Sequence, residues 1–223
     1  MSDARHRAFK TQLFGQIARI TRALASPRRL ELIDLLAQGE RTVEDLAREA
    51  DMSVANTSRH LQTLRASQLV AVRREGLYSW YRLAGEETFR VWQAVRGLGE
   101  RRLAEIDRLV ESFLGNRAAL EQVTALDLLA RMRAGSTVVI DVRPEIEYRA
   151  GHIRGALSAP IERLDALLTT LPLDQEVVAY CRGPYCVFAD EAVTMLVAAG
   201  RRARRLEGGF PDWRAAGLPV EGI

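Results

Sequence analysis

Two cysteines, Cys181 and Cys186, stand five positions apart in the segment EVVAYCRGPYC at residues 176–186, and they are the only cysteines of the chain. A thiolate is a strong nucleophile, and two thiols this close can approach the Cα separation of ~4.4–6.8 Å that a disulfide requires. The alternative is that both are small apolar residues of a core. The surrounding elements favour the first interpretation.

The apolar, partly β-branched run at residues 177–180 predicts a buried strand. Gly183-Pro184 predicts a tight loop, and helical character returns over residues 187–199. Cys181 is therefore expected in a loop between a strand end and a helix N-terminus. Converging backbone N–H groups, the helix dipole and the neighbouring Arg182 would all favour its thiolate.

Several further motifs surround this loop in a fixed order. They are Val139-Ile140-Asp141-Val142-Arg143-Pro144, Glu147-Tyr148, Gly151-His152-Ile153-Arg154-Gly155-Ala156, Pro160, Gly208-Gly209-Phe210-Pro211-Asp212-Trp213 and Gly217-Leu218-Pro219-Val220. With these motifs, residues 122–223 resemble a rhodanese (sulfurtransferase) domain, which implies an α/β fold with a parallel sheet. The resemblance also implies that Cys181 carries a persulfide and that Arg182, Gly183, Tyr185 and Cys186 belong to its cradle.

The loop departs from the rhodanese pattern at its sixth position. Family members often place a cation there to hold an anionic donor such as thiosulfate, whereas this chain has Cys186. Cys186 is instead placed to attack a persulfide on Cys181, giving a disulfide or a sulfur-bridged pair and releasing sulfide. The alternative is an inactive domain that keeps its cysteine as a relic. Val187, where related phosphatases and arsenate reductases need an arginine, argues against both of those activities.

Composition divides the 223-residue chain into halves of different charge. Residues 1–120 hold 20 Lys+Arg against 15 Asp+Glu (+5), and residues 121–223 hold 12 against 14 (−2), which together give the net charge of +3. The length suits two domains, predicted at 1–117 and 122–223. No apolar run reaches the ~18–20 residues of a membrane span, so a cytoplasmic protein is expected.

The basic half reads as helices interrupted by one hairpin. Ser26-Pro27 predicts the start of a second helix, and Ser53 is a good N-cap for a fourth helix in which Val54, Leu61 and Leu64 are expected to face inward. Two strands, at residues 69–74 and 78–83, are predicted to form a wing around Glu75-Gly76. The pattern predicts a mainly α winged helix-turn-helix domain.

This domain also carries the features of a DNA-binding surface. Residues 52–74 include four arginines and no acidic residue, which suits contact with phosphates. A solvated charged face is the alternative, but the helix-turn-helix and hairpin favour DNA. The residues predicted to contact operator DNA are Ser53, Asn56, Thr57, Ser58, Arg59 and His60 on the fourth helix and Arg73 and Arg74 on the wing.

The order of elements, with Ser26-Pro27-Arg28-Arg29-Leu30 and Ser58-Arg59-His60-Leu61, resembles the ArsR type of winged-helix repressor. That resemblance implies a homodimer built on the first and last helices. The apolar stripe of one long last helix would face the partner: Val91, Val95, Leu98, Leu103, Ile106, Leu109, Val110 and Phe113. The cysteine, histidine and carboxylate sets of metal-sensing members are missing, so no metal or cofactor is expected.

The sequence therefore predicts a dimeric, sequence-specific transcription regulator, typically a repressor, whose rhodanese domain senses or transfers sulfane sulfur. Polysulfide, persulfide and thiosulfate are the candidate donors, and Cys181 and Cys186 the reacting groups. The rival hypothesis is a sulfurtransferase whose winged helix serves dimerisation or placement. A constitutive repressor with an inert appended domain is the third.

Overall fold

The computed structural model describes residues 2–115, 120–168, 170–172 and 174–222. Its elements, in chain order, are α1 (Ser2–Leu24), α2 (Pro27–Ala37), β1 (Arg41–Thr42), α3 (Val43–Glu49), α4 (Val54–Ala66), β2 (Val70–Glu75), β3 (Tyr78–Leu83), α5 (Glu86–Arg102), α6 (Ala104–Leu114), β4 (Gln122–Val123), α7 (Ala125–Arg133), β5 (Thr137–Asp141), α8 (Glu145–Ala150), β6 (His152–Ile153), β7 (Leu157–Ser158), a 3₁₀ turn (Ile161–Arg163), α9 (Leu164–Leu167), β8 (Glu176–Tyr180), α10 (Phe188–Ala198), β9 (Ala203–Leu206), α11 (Phe210–Ala215) and β10 (Val220–Glu221).

The chain divides into two compact units, residues 1–92 and 93–223, and the division falls inside α5. The limit predicted at residue 117 lies outside the described residues. Each unit has its own buried apolar core, and each is described by itself.

The first unit is a winged helix-turn-helix, as predicted. Asp51, with a positive φ of 48°, makes the turn between α3 and α4. Ser53 caps α4 by accepting a hydrogen bond from the Asn56 N–H at 3.2 Å. Leu61 and Leu64 are fully buried against α2 and α3, so the core fixes the face that α4 turns outward.

The wing is an antiparallel pair of β2 and β3, with Glu75 opposite Tyr78 at the turn. Gly76 adopts a φ of 58° there, a conformation that glycine enters without the penalty a Cβ would bring. Strand β1 adds a third strand on the other side of β3. The predicted hairpin is confirmed, with its first strand one residue later than expected.

Two details of the helices differ from the sequence prediction. The predicted long last helix is broken at Leu103, whose extended backbone (φ −115°, ψ 94°) separates α5 from α6. Gly97 and Gly99 in the preceding turn have low helix propensity, which favours an ending here. Val54, expected to face inward, is 48% exposed because it begins α4 and lies outside the contact with α3.

The second unit is built on a five-stranded parallel sheet in the order β4-β9-β8-β5-β7. A strand turns successive side chains to opposite faces, and β8 supplies both cores in this way. Val177 and Ala179 pack with α10, while Val178 and Tyr180 pack with α11. The predicted α/β fold with a parallel sheet is confirmed, and a short antiparallel pair, β6 with β10, stands beside it.

A fully buried ion pair lies at the carboxyl end of this sheet. Asp141, the last residue of β5, and Arg143 have no exposed surface, and Arg143 Nη2 donates to Asp141 Oδ2 at 2.6 Å. The Tyr180 hydroxyl donates to the same oxygen at 2.6 Å and accepts from the Ile153 N–H at 3.1 Å. Arg143 also donates to the Gly151 carbonyl at 2.7 Å. These bonds tie β5, β6 and β8 together.

The ion pair controls the protonation of the buried groups around it. Burial would lower the pKa of Arg143, but the hydrogen bonds and charge of Asp141 outweigh that effect and raise it. Burial and the Asp141 carboxylate raise the pKa of Tyr180 well above its usual value, so the phenol stays neutral and can donate.

Replacing Arg143 by Met should destabilise the second unit by about 3–5 kcal/mol, because the Asp141 carboxylate would stay buried without a cation. The same change at Arg149, whose pair with Glu145 on α8 is exposed, should cost at most about 0.5 kcal/mol. Urea titration gives the free energy of unfolding, and hydrogen exchange over residues 137–141 and 176–180 assigns the loss to this unit. Equal losses in the two variants would contradict the assignment.

Candidate cysteine-loop site and DNA-binding surface

The cysteine loop, residues 181–186, follows β8 and leads into α10. Cys181 is 1% exposed and Cys186 is half-buried. Their Cα atoms are 6.2 Å apart and their sulfur atoms are joined in a disulfide. A Cα separation of this size lies inside the range that a disulfide accepts, so the loop can hold the bonded pair without moving the strand.

Two backbone hydrogen bonds and a close contact with Gly209 hold the backbone of this loop in place. The Phe210 N–H donates to the Cys181 carbonyl at 3.0 Å, and the Cys186 N–H donates to the Gly183 carbonyl at 3.2 Å to close the turn. A Cβ atom on Gly209 would overlap the Arg182 carbonyl carbon and the Gly183 nitrogen. Gly209 is therefore glycine because the start of α11 lies directly against the loop.

The Arg182 side chain is not aimed at the cysteines as the sequence suggested. Its Nε donates to Glu147 Oε1 at 2.8 Å, and its Nη2 bonds the same oxygen. Glu147 is 1% exposed, so this carboxylate balances the guanidinium charge in a partly buried setting. Support for a Cys181 thiolate would then come from loop N–H groups and α10, with Arg182 contributing its backbone and fixing the loop.

Tyr185 lies at the outer side of the loop, 42% exposed. Its hydroxyl donates to Glu100 Oε1 on α5 at 2.6 Å. The rhodanese resemblance places Tyr185 in the cradle but gives no partner for its hydroxyl, because a contact across 85 positions leaves no local signal in the sequence. Asp141 and Arg143 are not among the predicted site residues, although two opposite charges at the end of the apolar run of β5 indicate a buried pair.

The outward face of α4 holds most of the predicted DNA-contacting residues. Ser53 and Arg59 are exposed, and the partly exposed members are Asn56, Ser58 and His60. Thr57 is fully buried and its hydroxyl donates to the Ser53 carbonyl at 3.1 Å. Thr57 therefore has a structural position, and the prediction that it contacts DNA is corrected.

The charges around His60 indicate an electropositive surface. Partial burial lowers the pKa of His60, and the positive charges of Arg29, Arg59 and Arg28 lower it further. A neutral histidine surrounded by guanidinium groups is an environment that a phosphate backbone would match.

The two wing arginines differ in their surroundings. Arg73 pairs with Glu40, Nε to Oε2 at 2.8 Å, and with Glu75, and it lies over the Trp80 ring at 5.2 Å. Arg74 is exposed, and none of the described residues forms an ion pair or hydrogen bond with its side chain. The Arg74 charge is therefore the more available of the two.

Comparison with known families agrees with this geometry. Residues 26–72 match the model described as bacterial regulatory protein, arsR family, and residues 124–216 match the rhodanese-like domain. The chain is also 44% identical over 212 residues to the HTH-type transcriptional regulator Rv0324 of Mycobacterium tuberculosis, covering 95% of this chain and 93% of that protein.

This chain is an ArsR-family transcriptional regulator with a C-terminal rhodanese-like domain.

Shorter similarities fall within single domains of the ArsR–rhodanese chain. A sulfurtransferase of Allochromatium vinosum is 31% identical over 83 residues, which is 37% of this chain and 77% of that protein. The homodimeric winged helix-turn-helix domain of Mb0332 from Mycobacterium bovis is 44% identical, covers 42% of this chain and 87% of that chain, and has a TM-score of 0.40. Within the described residues, no helix has the length and apolar character needed to cross a bilayer.

Replacing Arg74 by Gln should weaken DNA binding at every sequence and lower the slope of log K against log salt by about one, because it removes a predicted phosphate contact. Arg73→Gln should lower the slope by less than half as much, since Glu40 and Glu75 already balance that charge. Fluorescence anisotropy with DNA from upstream of the gene, at several salt concentrations, measures both slopes. Identical slopes for the two variants would contradict the distinction.

Proposed function

We propose that this ArsR-family regulator binds operator DNA as a homodimer and that sulfane sulfur, received on Cys181 and resolved by Cys186, changes its affinity for that DNA. The observation that carries the proposal is the bonded pair of cysteines in the loop after β8, with Cα atoms 6.2 Å apart. A loop that holds both a nucleophile and a resolving thiol can convert a chemical encounter into two distinct protein states.

Exposed apolar surfaces support dimerisation. Helix α1 presents four large apolar side chains that are 43–63% exposed, and α5 presents three more that are 40–55% exposed. These residues are Phe9, Leu13, Phe14 and Ile17 on α1 and Val91, Val95 and Leu98 on α5. Apolar faces of this size on a monomer indicate a partner surface, and a two-fold dimer implies a pseudo-palindromic operator.

The proposed reaction has two steps. The Cys181 thiolate attacks the sulfane sulfur of a polysulfide or organic persulfide, forming a Cys181 persulfide and releasing the shortened donor as its thiolate or polysulfide. The Cys186 thiolate then attacks the Cys181 sulfur and expels hydrosulfide. Two thiolates have been oxidised to a disulfide, and one sulfane sulfur has been reduced to sulfide. An external dithiol would restore the reduced loop.

The charges around the loop favour a singly charged organic persulfide over thiosulfate. Arg182 is paired with Glu147, and the sixth loop position is a thiol instead of a cation. A dianionic donor would therefore meet loop N–H groups without an added counter-charge. We expect the dianionic thiosulfate to react more slowly than a singly charged organic persulfide for this reason.

The sulfur state must alter DNA affinity by favouring one dimer arrangement over another, because an event with no differential free energy between states shifts nothing. Fluorescence anisotropy at fixed salt should show a change in the dissociation constant when reduced protein receives stoichiometric polysulfide, and dithiothreitol should reverse it. Cys181→Ser should abolish the change. A Cys181→Ser protein that responds like wild type would sink the sensor hypothesis.

The Cys186→Ser variant separates the two chemical steps. We expect it to stop at the Cys181 persulfide, which mass spectrometry detects as one added sulfur atom, whereas wild-type protein should proceed to the disulfide and release sulfide. Wild-type protein that retains the added sulfur with Cys186 still free would contradict the resolving role.

The rival function, a sulfurtransferase, is supported by the similarity to the sulfurtransferase of Allochromatium vinosum over the rhodanese-like domain. A steady-state assay with thiosulfate and cyanide distinguishes the two. Many turnovers per protein would favour the enzyme, and one stoichiometric modification would favour the sensor.

A further inference from the structure

One face of α5 meets the cysteine loop and the helix beneath it. Gln93, Arg96 and Glu100 are spaced by three and four positions, which places them on the same side of a helix. Gln93 Nε2 and Arg96 Nη2 donate to Asp212 Oδ1 at 2.8 and 2.5 Å. Glu100 Oε1 accepts from the Tyr185 hydroxyl at 2.6 Å. All of these contacts lie within the second unit.

Asp212 is itself connected to the loop. Its Oδ2 accepts from the Gly209 N–H at 3.1 Å and so caps α11. Gly209 lies against the backbone of Arg182 and Gly183, and the next residue, Phe210, bonds the Cys181 carbonyl. The start of α11 therefore connects the beginning of the cysteine loop to α5 through Asp212, and this connection does not involve Tyr185.

The beginning of the same helix belongs to the DNA-binding unit. The Thr88 hydroxyl donates to the Leu69 carbonyl at 3.1 Å, and Trp92 Nε1 donates to Asp34 at 3.0 Å. Phe89 is 3% exposed in that unit. Helix α5 runs without a break over 17 residues, from Glu86 to Arg102, so each unit contains part of it.

We infer that the hydrogen bond from Tyr185 to Glu100 couples the state of the Cys181–Cys186 pair to helix α5. This inference rests on the proposed function for the biological meaning of the loop's two states. The disulfide closes a short ring that contains Tyr185, which restricts the tyrosine and presents its hydroxyl to Glu100. With the disulfide opened, the loop gains conformational freedom and the bond is made less often.

The chemistry of this contact suits a switch. A hydroxyl that donates to a carboxylate makes a stronger bond than a neutral pair does, and it is directional. Arg96 Nε lies 3.9 Å from the same Glu100 oxygen, so the carboxylate is held toward the loop from within α5. The Asp212 contacts fix the position of α5, and the Tyr185 contact is the one that the disulfide constrains.

Hydrogen exchange over residues 94–102 tests the inference in the full-length chain. The disulfide is formed with the thiol oxidant diamide or opened with dithiothreitol, and thiol titration verifies each state, so no sulfur donor is required. We expect exchange in this part of α5 to be about three- to tenfold slower in the disulfide form. In Glu100→Ala the difference should fall below about twofold, since the acceptor is missing.

Glu86→Ala is the matched control. Glu86 is also on α5 and also pairs with an arginine four positions away, Arg90, but it lies at the other end of the helix. This variant should keep the full difference between the two states. Tyr185→Phe should behave like Glu100→Ala, and the double variant should lose no more than either single one, because both remove the same bond.

Equal exchange of α5 in the two states of wild-type protein would overturn the inference, and so would a Glu100→Ala protein that keeps the full difference. Measuring DNA affinity on the same samples separates this result from the proposed function. A state-dependent α5 with unchanged DNA affinity would support the coupling and refute the sensor. A change in DNA affinity that persists in Glu100→Ala would support the sensor and refute the hydrogen bond from Tyr185 to Glu100 as the link between the loop and DNA affinity.

Discussion

The buried pair of Asp141 and Arg143 is the interaction on which the cysteine loop depends. Two charges with no exposed surface are expensive to desolvate, and they are tolerable here because hydrogen bonds surround them. Those bonds reach Tyr180 at the end of β8 and the segment that holds Gly151 and Ile153, so with β5 they join three segments of the chain. The charged pair therefore specifies how the segments meet.

The buried pair also determines the position of the reactive cysteine, because it fixes Tyr180, the residue before Cys181. Tyr180 is fixed by its hydroxyl and by its carbonyl, which accepts from the Val142 N–H at 3.1 Å. Cys181 follows directly, so its position is set by the strand end beneath it. Arg143 lies 4.3 Å from the centre of the Phe210 ring, and Phe210 bonds the Cys181 carbonyl. The same cation thus supports the loop from the strand and from α11.

The sequence was sufficient for features that depend on local pattern. The Ser53 cap, the hairpin turn at Gly76 and the strand–loop–helix around Cys181 each arise from neighbouring residues, and each is present. The misplaced features depend on distant partners. Thr57 is polar, and the sequence predicts it on the DNA-contacting face of α4. The burial of Leu61 and Leu64 instead turns Thr57 inward, where its hydroxyl donates to the Ser53 carbonyl. The sequence does not indicate the partner of Arg182, because Glu147 is 35 positions away.

The break at Leu103 changes how the last helices can act. A single helix from 86 to 114 would have carried the whole predicted apolar stripe and the loop contacts on one body, whereas the structure divides the stripe at Leu103 and leaves the loop contacts on α5. Its exposed Val91, Val95 and Leu98 follow one helical stripe, and Gln93, Arg96 and Glu100 follow another. One helix therefore bears the apolar face proposed for the dimer and the polar face that meets the cysteine loop.

The proposed dimer would contain two copies of the Tyr185–Glu100 contact, and this number affects how large a change in DNA affinity the contact could produce. A single exposed hydrogen bond to a carboxylate contributes little free energy, whereas typical allosteric coupling changes an affinity by about 5- to 150-fold. In a dimer on one operator, two loops would act on the same binding equilibrium, so the factor contributed by each loop would enter twice. A factor of about three to ten per loop would then give roughly 10- to 100-fold for the dimer. Two copies of a contact such as Tyr185 to Glu100 would thus fall within the range of typical allosteric coupling.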